Sequence, residues 1–303
     1  VTVDGLLLVD KPEGPTSHDM VARARRLLGQ RRIGHTGTLD PMATGLLPLV
    51  LGRATRLARF LPHSPKRYEG EFVLGVETST DDRTGETVSR HDGSLPDVGS
   101  VLEAARSLEG KVRQVPPDVS AKKVDGVRLY RRVRRGQAVA PRPVDVEVER
   151  FALVPGRDAS RWKFEAEVSS GTYIRALVRD LGRDLGCGAT LWELRRTAIG
   201  PLGLSAATLL PDGDDRAPAG LDDRIIPMDL IPLELPAVTL GDGDSVRRFL
   251  AGTSVSRPGL PDEGPVRVLN SNGRLLGVAD VAPPDLQPRV VVAPMAPDGD
   301  LAG

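Results

Sequence analysis

Between residues 34 and 45 the chain reads Gly34-His35-Thr36-Gly37-Thr38-Leu39-Asp40-Pro41-Met42-Ala43-Thr44-Gly45. No ordinary helix can be drawn through that stretch. Glycine lets a backbone enter the left-handed region or approach a neighbour closely. Proline fixes its own φ and pushes the residue before it, here Asp40, toward extended geometry. The loop therefore presents one carboxylate in a defined way. A carboxylate so presented can serve as a nucleophile, a general base, a metal ligand or a plain turn residue.

The chain has 303 residues, enough for a sizeable core and more than one domain. With 40% hydrophobic and 27% charged residues it has an ordinary globular composition. Net charge is zero, but it is unevenly spread: residues 1–70 hold 11 Lys and Arg against 6 Asp and Glu. Residues 122–142 hold 8 basic residues against the single acid Asp125, whereas residues 208–245 hold 9 acids against 2 arginines. Local fields rather than the total steer an anionic ligand, so the basic run reads as a phosphate track. Cys187 is the only cysteine, which leaves no intrachain disulfide and suits a reducing compartment. The first ten residues lack a charged leader before a long apolar run, and no stretch has membrane-span length. The cytoplasm is the expected location.

Leu6–Val9 reads as a short buried strand, and Thr16-Ser17-His18-Asp19 as the cap of a helix over Met20–Leu28 ended by Gly29. Leu46–Leu51 is a strand, Ala54–Leu61 a short helix, Tyr68–Val76 a strand and Asp97–Leu108 a helix. Val144–Leu153 and Arg161–Ser169 read as strands about a Pro155-Gly156 turn, followed by an amphipathic helix over Tyr173–Leu185 and a strand over Thr190–Ile199. From Leu209 to about Gly243 the composition shifts to Asp, Pro and Gly, the mark of an irregular connector. A short helix over Asp244–Leu250 and strands over Val266–Leu269, Leu275–Val281 and Arg289–Val292 then suggest a small β unit with a turn at Asn272-Gly273. The expectation is an α+β chain: a catalytic domain over residues 1–208, a connector over 209–236 and a small mostly-β domain over 237–303.

Several familiar motifs fail. Gly29–Thr36 has the outline of a phosphate-binding loop, but His35 stands where that loop needs its lysine. The four histidines (18, 35, 63 and 91) are scattered without zinc spacing, and no G-x-S-x-G elbow is present. A glycosidase would need a second carboxylate working with Asp40, which spacing alone does not exclude.

Five segments in order resemble the TruB family, the bacterial tRNA pseudouridine-55 synthases. They are Val9–Asp19, the Asp40 loop through Gly52, Lys66–Gly70 with Thr78–Asp82, Gln114–Pro117 with Ser120–Lys123 and Leu129-Tyr130, and Gly171–Arg175 through Gly186–Ala189 to Leu194-Arg195-Arg196. Together they cover roughly residues 4–200. The C-terminal part loosely resembles a PUA-type RNA-binding domain. The resemblance implies a pseudouridine-synthase fold with a central mixed, largely antiparallel sheet flanked by helices and loops. It also implies isomerisation of one T-arm uridine of tRNA to pseudouridine, without cofactor or metal, by a monomer needing no protein partner and no membrane.

Residue by residue, Asp40 matches the catalytic aspartate and is read as the nucleophile, while Arg175 matches the arginine that holds it ionised and aimed. Asp82 matches that arginine's acidic partner, with Asp81 the neighbour that could be mistaken for it. Tyr68 matches the tyrosine packed on the target base, with a part in removing the C5 proton. Tyr173 is a second contact to base or backbone, Leu194 an apolar wall and His35 a contact to RNA near the flipped nucleotide. Lys11 matches a motif lysine, structural or phosphate-contacting. Tyr130 is read as structural. The rival readings are a tRNA-binding RNA chaperone, a subunit guided by a separate RNA, and a glycoside hydrolase built on Asp40.

Overall fold

The computed structural model describes residues 2–117, 142–212, 220–257, 259–261 and 263–293, and the backbone of a short strand pair at 123–124 and 127–128. Tyr130 and nearly all of the basic run 122–142 lie outside the described residues. The larger sheet has ten strands. Across it run Ile225–Pro227, Gly5–Lys11, Thr44–Leu51, Ala189–Ile199, Lys66–Leu74, Arg161–Val168, Val144–Pro155 and Gly110–Gln114. Ile33–His35 adds to Thr44–Leu51, and Leu202–Gly203 to Ala189–Ile199. Neighbours are antiparallel except for Ala189–Ile199 against Thr44–Leu51, which pair in parallel through Arg195↔Thr44 and Arg196↔Gly45. The sheet is thus mixed and largely antiparallel.

Successive strand residues face opposite sides, and this sheet is apolar on both at its centre. Leu7, Val9, Leu47, Leu49, Phe72 and Val168 belong to one core with Met20, Val21, Val101, Leu177 and Leu181 from three helices. Leu6, Leu8, Leu46 and Val50 belong to a second, with Leu57, Ile231, Leu233, Val278 and Val290. This double burial explains why Leu6–Val9 is an unbroken apolar run. The helix Ser17–Leu27 starts at a capping box: Asp19 N donates to Thr16 Oγ1 (3.1 Å) and Thr16 N to Asp19 Oδ2 (2.8 Å). Residues 237–291 form a second, five-stranded sheet. The helix Gly243–Leu250 covers it through the fully buried Phe249.

Short strands at Ile33–His35, Gly110–Gln114 and Ala237–Leu240 add to those expected from the sequence, and three further elements differ from that expectation. The connector is not irregular throughout, because Ile225–Pro227 pairs with Gly5–Leu7 at the edge of the large sheet, with Leu221, Ile231 and Leu233 buried around it. Three apolar residues suffice for an edge strand, too short to show as a period among prolines and aspartates. The Ala54–Leu61 helix is a 3-10 helix over Gly52–Phe60. The last strand begins at Asp285, four residues before Arg289, as the return limb of a hairpin with Leu275–Ala282.

Gly45 is the tightest point between the Asp40 loop and the sheet. It lies between Lys11 and Arg196 on the flanking strands, with φ +99°. A Cβ there would stand 2.3 Å from the Arg196 carbonyl oxygen, so only glycine fits. Gly45→Ala is expected to lose on the order of 3 kcal/mol, read as a lowered urea midpoint at unchanged m-value.

Candidate active site

The Asp40 loop has no regular structure, so its buried polar backbone must find partners elsewhere. Three side chains supply most of them. Ser17, on the first turn of its helix, accepts from Leu39 N (2.9 Å) and donates to Leu39 O (3.1 Å). Lys11 Nζ donates to Pro41 O (3.2 Å) and Pro12 O (2.8 Å), and Gly14 N also donates to Pro41 O (2.9 Å). Arg196 donates from Nη2 to Gly37 O (2.7 Å), from Nη1 to Thr38 O (3.5 Å) and from Nε to Leu46 O (2.8 Å). With Leu39, Met42 and Ala43 buried, the loop is anchored on both sides of Asp40.

Asp40 points outward from this anchored loop, with its side chain 39% exposed. Arg175 Nη2 meets Asp40 Oδ2 at 3.0 Å. The same guanidinium reaches Asp82 Oδ2 at 3.4 Å through Nη1, which also donates to Thr80 O (2.9 Å). Arg175 and Asp82 have side chains only 5% exposed. One buried cation therefore bridges a buried carboxylate and an accessible one. Arginine suits this place because its planar fork presents several donors in fixed directions.

Asp82 is held in turn by the turn that carries it. Its Oδ1 accepts from Thr80 Oγ1 (2.7 Å), Thr84 N (3.0 Å) and Thr84 Oγ1 (2.5 Å), while Thr78 Oγ1 donates to its carbonyl (2.7 Å). Asp81 turns the other way. It has φ +59° and pairs with Arg179 at 3.1 Å, one helical turn beyond Arg175. Burial pushes the Asp81 carboxyl up, opposed by the charges of Arg179 and Arg175. The two adjacent aspartates thus serve two different arginines.

A cavity of about 560 Å³ opens over Asp40, between the loop and the start of the helix Ile174–Asp184. Tyr68, Tyr173, Ile174 and Leu194 supply its apolar walls, and Lys66, Asp145 and Arg175 its charges. Tyr173 is held by a backbone clasp: its N–H donates to Gln114 Oε1 (2.8 Å), and Gln114 Nε2 donates to its carbonyl (3.1 Å). The space has apolar sides, with the Asp40 carboxylate on the buried Arg175 at the floor and Lys66 also in its lining. It can take an aromatic heterocycle and set a carboxylate against the bond that joins it to its carrier.

The structure brings Asp40, Arg175, Tyr68, Tyr173 and Leu194 together at this cavity. Three other residues singled out in the sequence do not line the cavity. Lys11 is fully buried and its ammonium is spent on two backbone carbonyls, so it braces the loop instead of meeting a ligand. Its pKa is lowered to about 8, chiefly by burial, with Asp40, Glu13 and Asp19 acting against the shift. Asp82 lies behind Arg175, buried in its own turn. His35 ends the short strand Ile33–His35 opposite Leu49 and is not among the cavity-lining residues. Lys66 lines the cavity, Gln114 clasps Tyr173 and Arg196 braces the loop, and none was singled out in the sequence, although each stands in one of the five family-like segments. Nothing local distinguishes them, since a lone Lys, Gln or Arg is usually solvated.

The family model for the N-terminal domain of TruB family pseudouridylate synthases matches residues 25–174. Models for the tRNA pseudouridylate synthase B C-terminal domain and for the C-terminal part of pseudouridine synthase II TruB match residues 175–231 and 236–292. The tRNA pseudouridine synthase B of Thermobifida fusca (strain YX) is 42% identical over 298 residues, covering 96% of this chain and 99% of that protein. The protein of the same name from Burkholderia mallei (strain NCTC 10247) is 41% identical over 298 residues, 96% of this chain and 97% of its own. Among solved structures, a chain of a Cbf5-Nop10-Gar1 complex superposes with a TM-score of 0.72 at 25% identity, over 96% of this chain and 85% of that one. A chain of an H/ACA RNP bound to a substrate RNA containing 2'-deoxyuridine gives 0.71 at 23% identity over the same shares, a likeness of fold alone.

The Arg175 bridge makes the two carboxylates unequal. Asp82→Asn leaves a buried cation undercompensated and is expected to cost on the order of 2–3 kcal/mol in urea unfolding. Asp40→Asn removes an accessible partner and is expected to cost under about 1 kcal/mol.

Proposed function

The chain belongs to the TruB family of pseudouridylate synthases, and we propose that it isomerises one uridine of tRNA, at position 55 of the T-arm, to pseudouridine. The observation that carries this reading is Asp40: an accessible carboxylate on an anchored loop, held by a buried arginine at the floor of an apolar-walled cavity. The target base has to leave its stack to enter such a cavity, and Tyr68, Tyr173 and Leu194 offer it replacement surfaces. The Asp40 carboxylate supplies the negative charge that drives breakage of the N1–C1′ bond. The uracil leaves with that electron pair, turns within the slot and forms the C5–C1′ bond. Tyr68 then takes the C5 proton as its own hydroxyl proton passes to solvent, and N1 takes up a proton from solvent, so that the product is an isomer of the uridine.

Arg175 fixes the direction of the carboxylate before the substrate arrives. Asp82 and its threonine cage hold the arginine, so we assign them to positioning. The chain acts alone on bare tRNA, as a monomer. This part of the reading rests on the family resemblance. Position 55 is the finest part of the proposal and rests on the family resemblance.

Treating unmodified tRNA with the protein and mapping carbodiimide adducts is expected to reveal one new pseudouridine, in the T-arm. Asp40→Asn should abolish it, with a rate loss exceeding about 10⁴-fold, while tRNA affinity stays within a few-fold. Retained isomerisation in that variant, or release of free uracil by the wild type, would overturn the assignment.

A further inference from the structure

Among the described residues, the cations around the cavity are accounted for with one exception. Arg175 serves two carboxylates, Lys11 two carbonyls and Arg196 three carbonyls. Lys66 also lines the cavity, yet among the described residues its ammonium has neither a carboxylate partner nor a hydrogen-bond acceptor. Asp40 and Asp145 line the same cavity, and neither pairs with it. On the neighbouring strand Arg196 pairs with Tyr68, two residues along from Lys66. The Arg196 guanidinium is fully buried, has no carboxylate partner among the described residues, and repels the Lys66 ammonium. Burial and Arg196 together lower the Lys66 pKa to about 8.

A half-buried ammonium set against a buried guanidinium is unfavourable unless an anion completes it. The base of a bound uridine is neutral and carries negative charge only after the N1–C1′ bond has broken, so it does not complete this site as the RNA binds. Lys66 opens the strand Lys66–Leu74 and shares a face with Tyr68, two residues along. That spacing sets the ammonium's strand position roughly 7 Å from the proposed base-stacking surface. A phosphodiester next to an extruded nucleoside falls at such a distance.

Resting on the RNA-modifying reading above, we propose that Lys66, backed by Arg196, is the seat of one backbone phosphate beside the extruded uridine. It is a binding residue for the sugar-phosphate chain and not for the base. Because the free protein holds the two cations against each other, the phosphate relieves a repulsion as it binds. Specificity for an RNA chain over a free nucleoside would then originate at this point of the cavity.

The test uses T-arm stem-loop RNAs carrying a single neutral methylphosphonate, moved one linkage at a time around the target uridine. Binding is measured for the full chain, for Lys66→Met, for Lys66→Arg, and for Lys163→Met, a control on the opposite sheet face. In the wild type one linkage should stand out, its neutralisation weakening binding about tenfold. Lys66→Met should bind unmodified RNA about tenfold more weakly, lose sensitivity to that one linkage, and show a salt slope shallower by about one. Lys66→Arg should keep the sensitivity, and Lys163→Met should behave as wild type. Removing Lys66 relieves repulsion, so the Lys66→Met urea midpoint should not fall. If Lys66→Met and wild type respond alike at every linkage, or if the variant loses affinity only with thio-substituted uracils, the proposal is overturned. Pseudouridine formation on unmodified RNA, scored separately for the wild type, shows whether the enzymatic reading fails instead; absence of any RNA binding would sink both.

Discussion

The site depends on one arginine shared by two carboxylates of unequal burial. Asp82 is interior, and without a cation its charge would be costly to keep. Asp40 is accessible, and without a cation its direction would be free. Arg175 answers both needs with one guanidinium: Asp82 and its threonines fix the arginine, and the arginine fixes Asp40. The chain of restraint runs from the fold's interior outward and ends at the one group left open to a ligand. That order suits a nucleophile, which must be aimed before the substrate arrives.

A second set of restraints acts on the backbone that carries Asp40. Lys11, Gly45 and Arg196 stand opposite one another on three adjacent strands. The glycine in the middle lets the backbones close up, and the side chains on either side fold onto the loop, one on Pro41 and the other on Gly37 and Thr38. An irregular loop thereby becomes as fixed as a strand. Two buried cations here hold carbonyls instead of carboxylates.

Much of this was legible in the sequence where one residue type permits few conformations. Glycines and Pro41 marked the Asp40 loop, and Thr16 with Asp19 announced the helix that delivers Ser17. The unbroken Leu6–Val9 run signalled a buried strand. Other features were hidden because their chemistry is decided by neighbours far along the chain. Lys11 and Arg196 are typical surface residues by composition, and only the strand pairing buries them under the loop. Ile225–Pro227 is three residues in a polar stretch and becomes a strand because Gly5–Leu7 offers an open edge. Asp81 and Asp82 are adjacent and alike, and the left-handed turn at Asp81 is what assigns each to its own arginine.

The central claim is that Arg175 works through Asp40, by aiming a charge, and not by gripping RNA. The direct measurement is the single-turnover rate of pseudouridine formation by Arg175→Lys at saturating tRNA, alongside the tRNA dissociation constant. Lysine keeps the charge but cannot span two carboxylates as a planar fork does. The account predicts a rate lowered by about 100-fold or more, with the dissociation constant changed less than about threefold. An unchanged rate with weakened binding would contradict it.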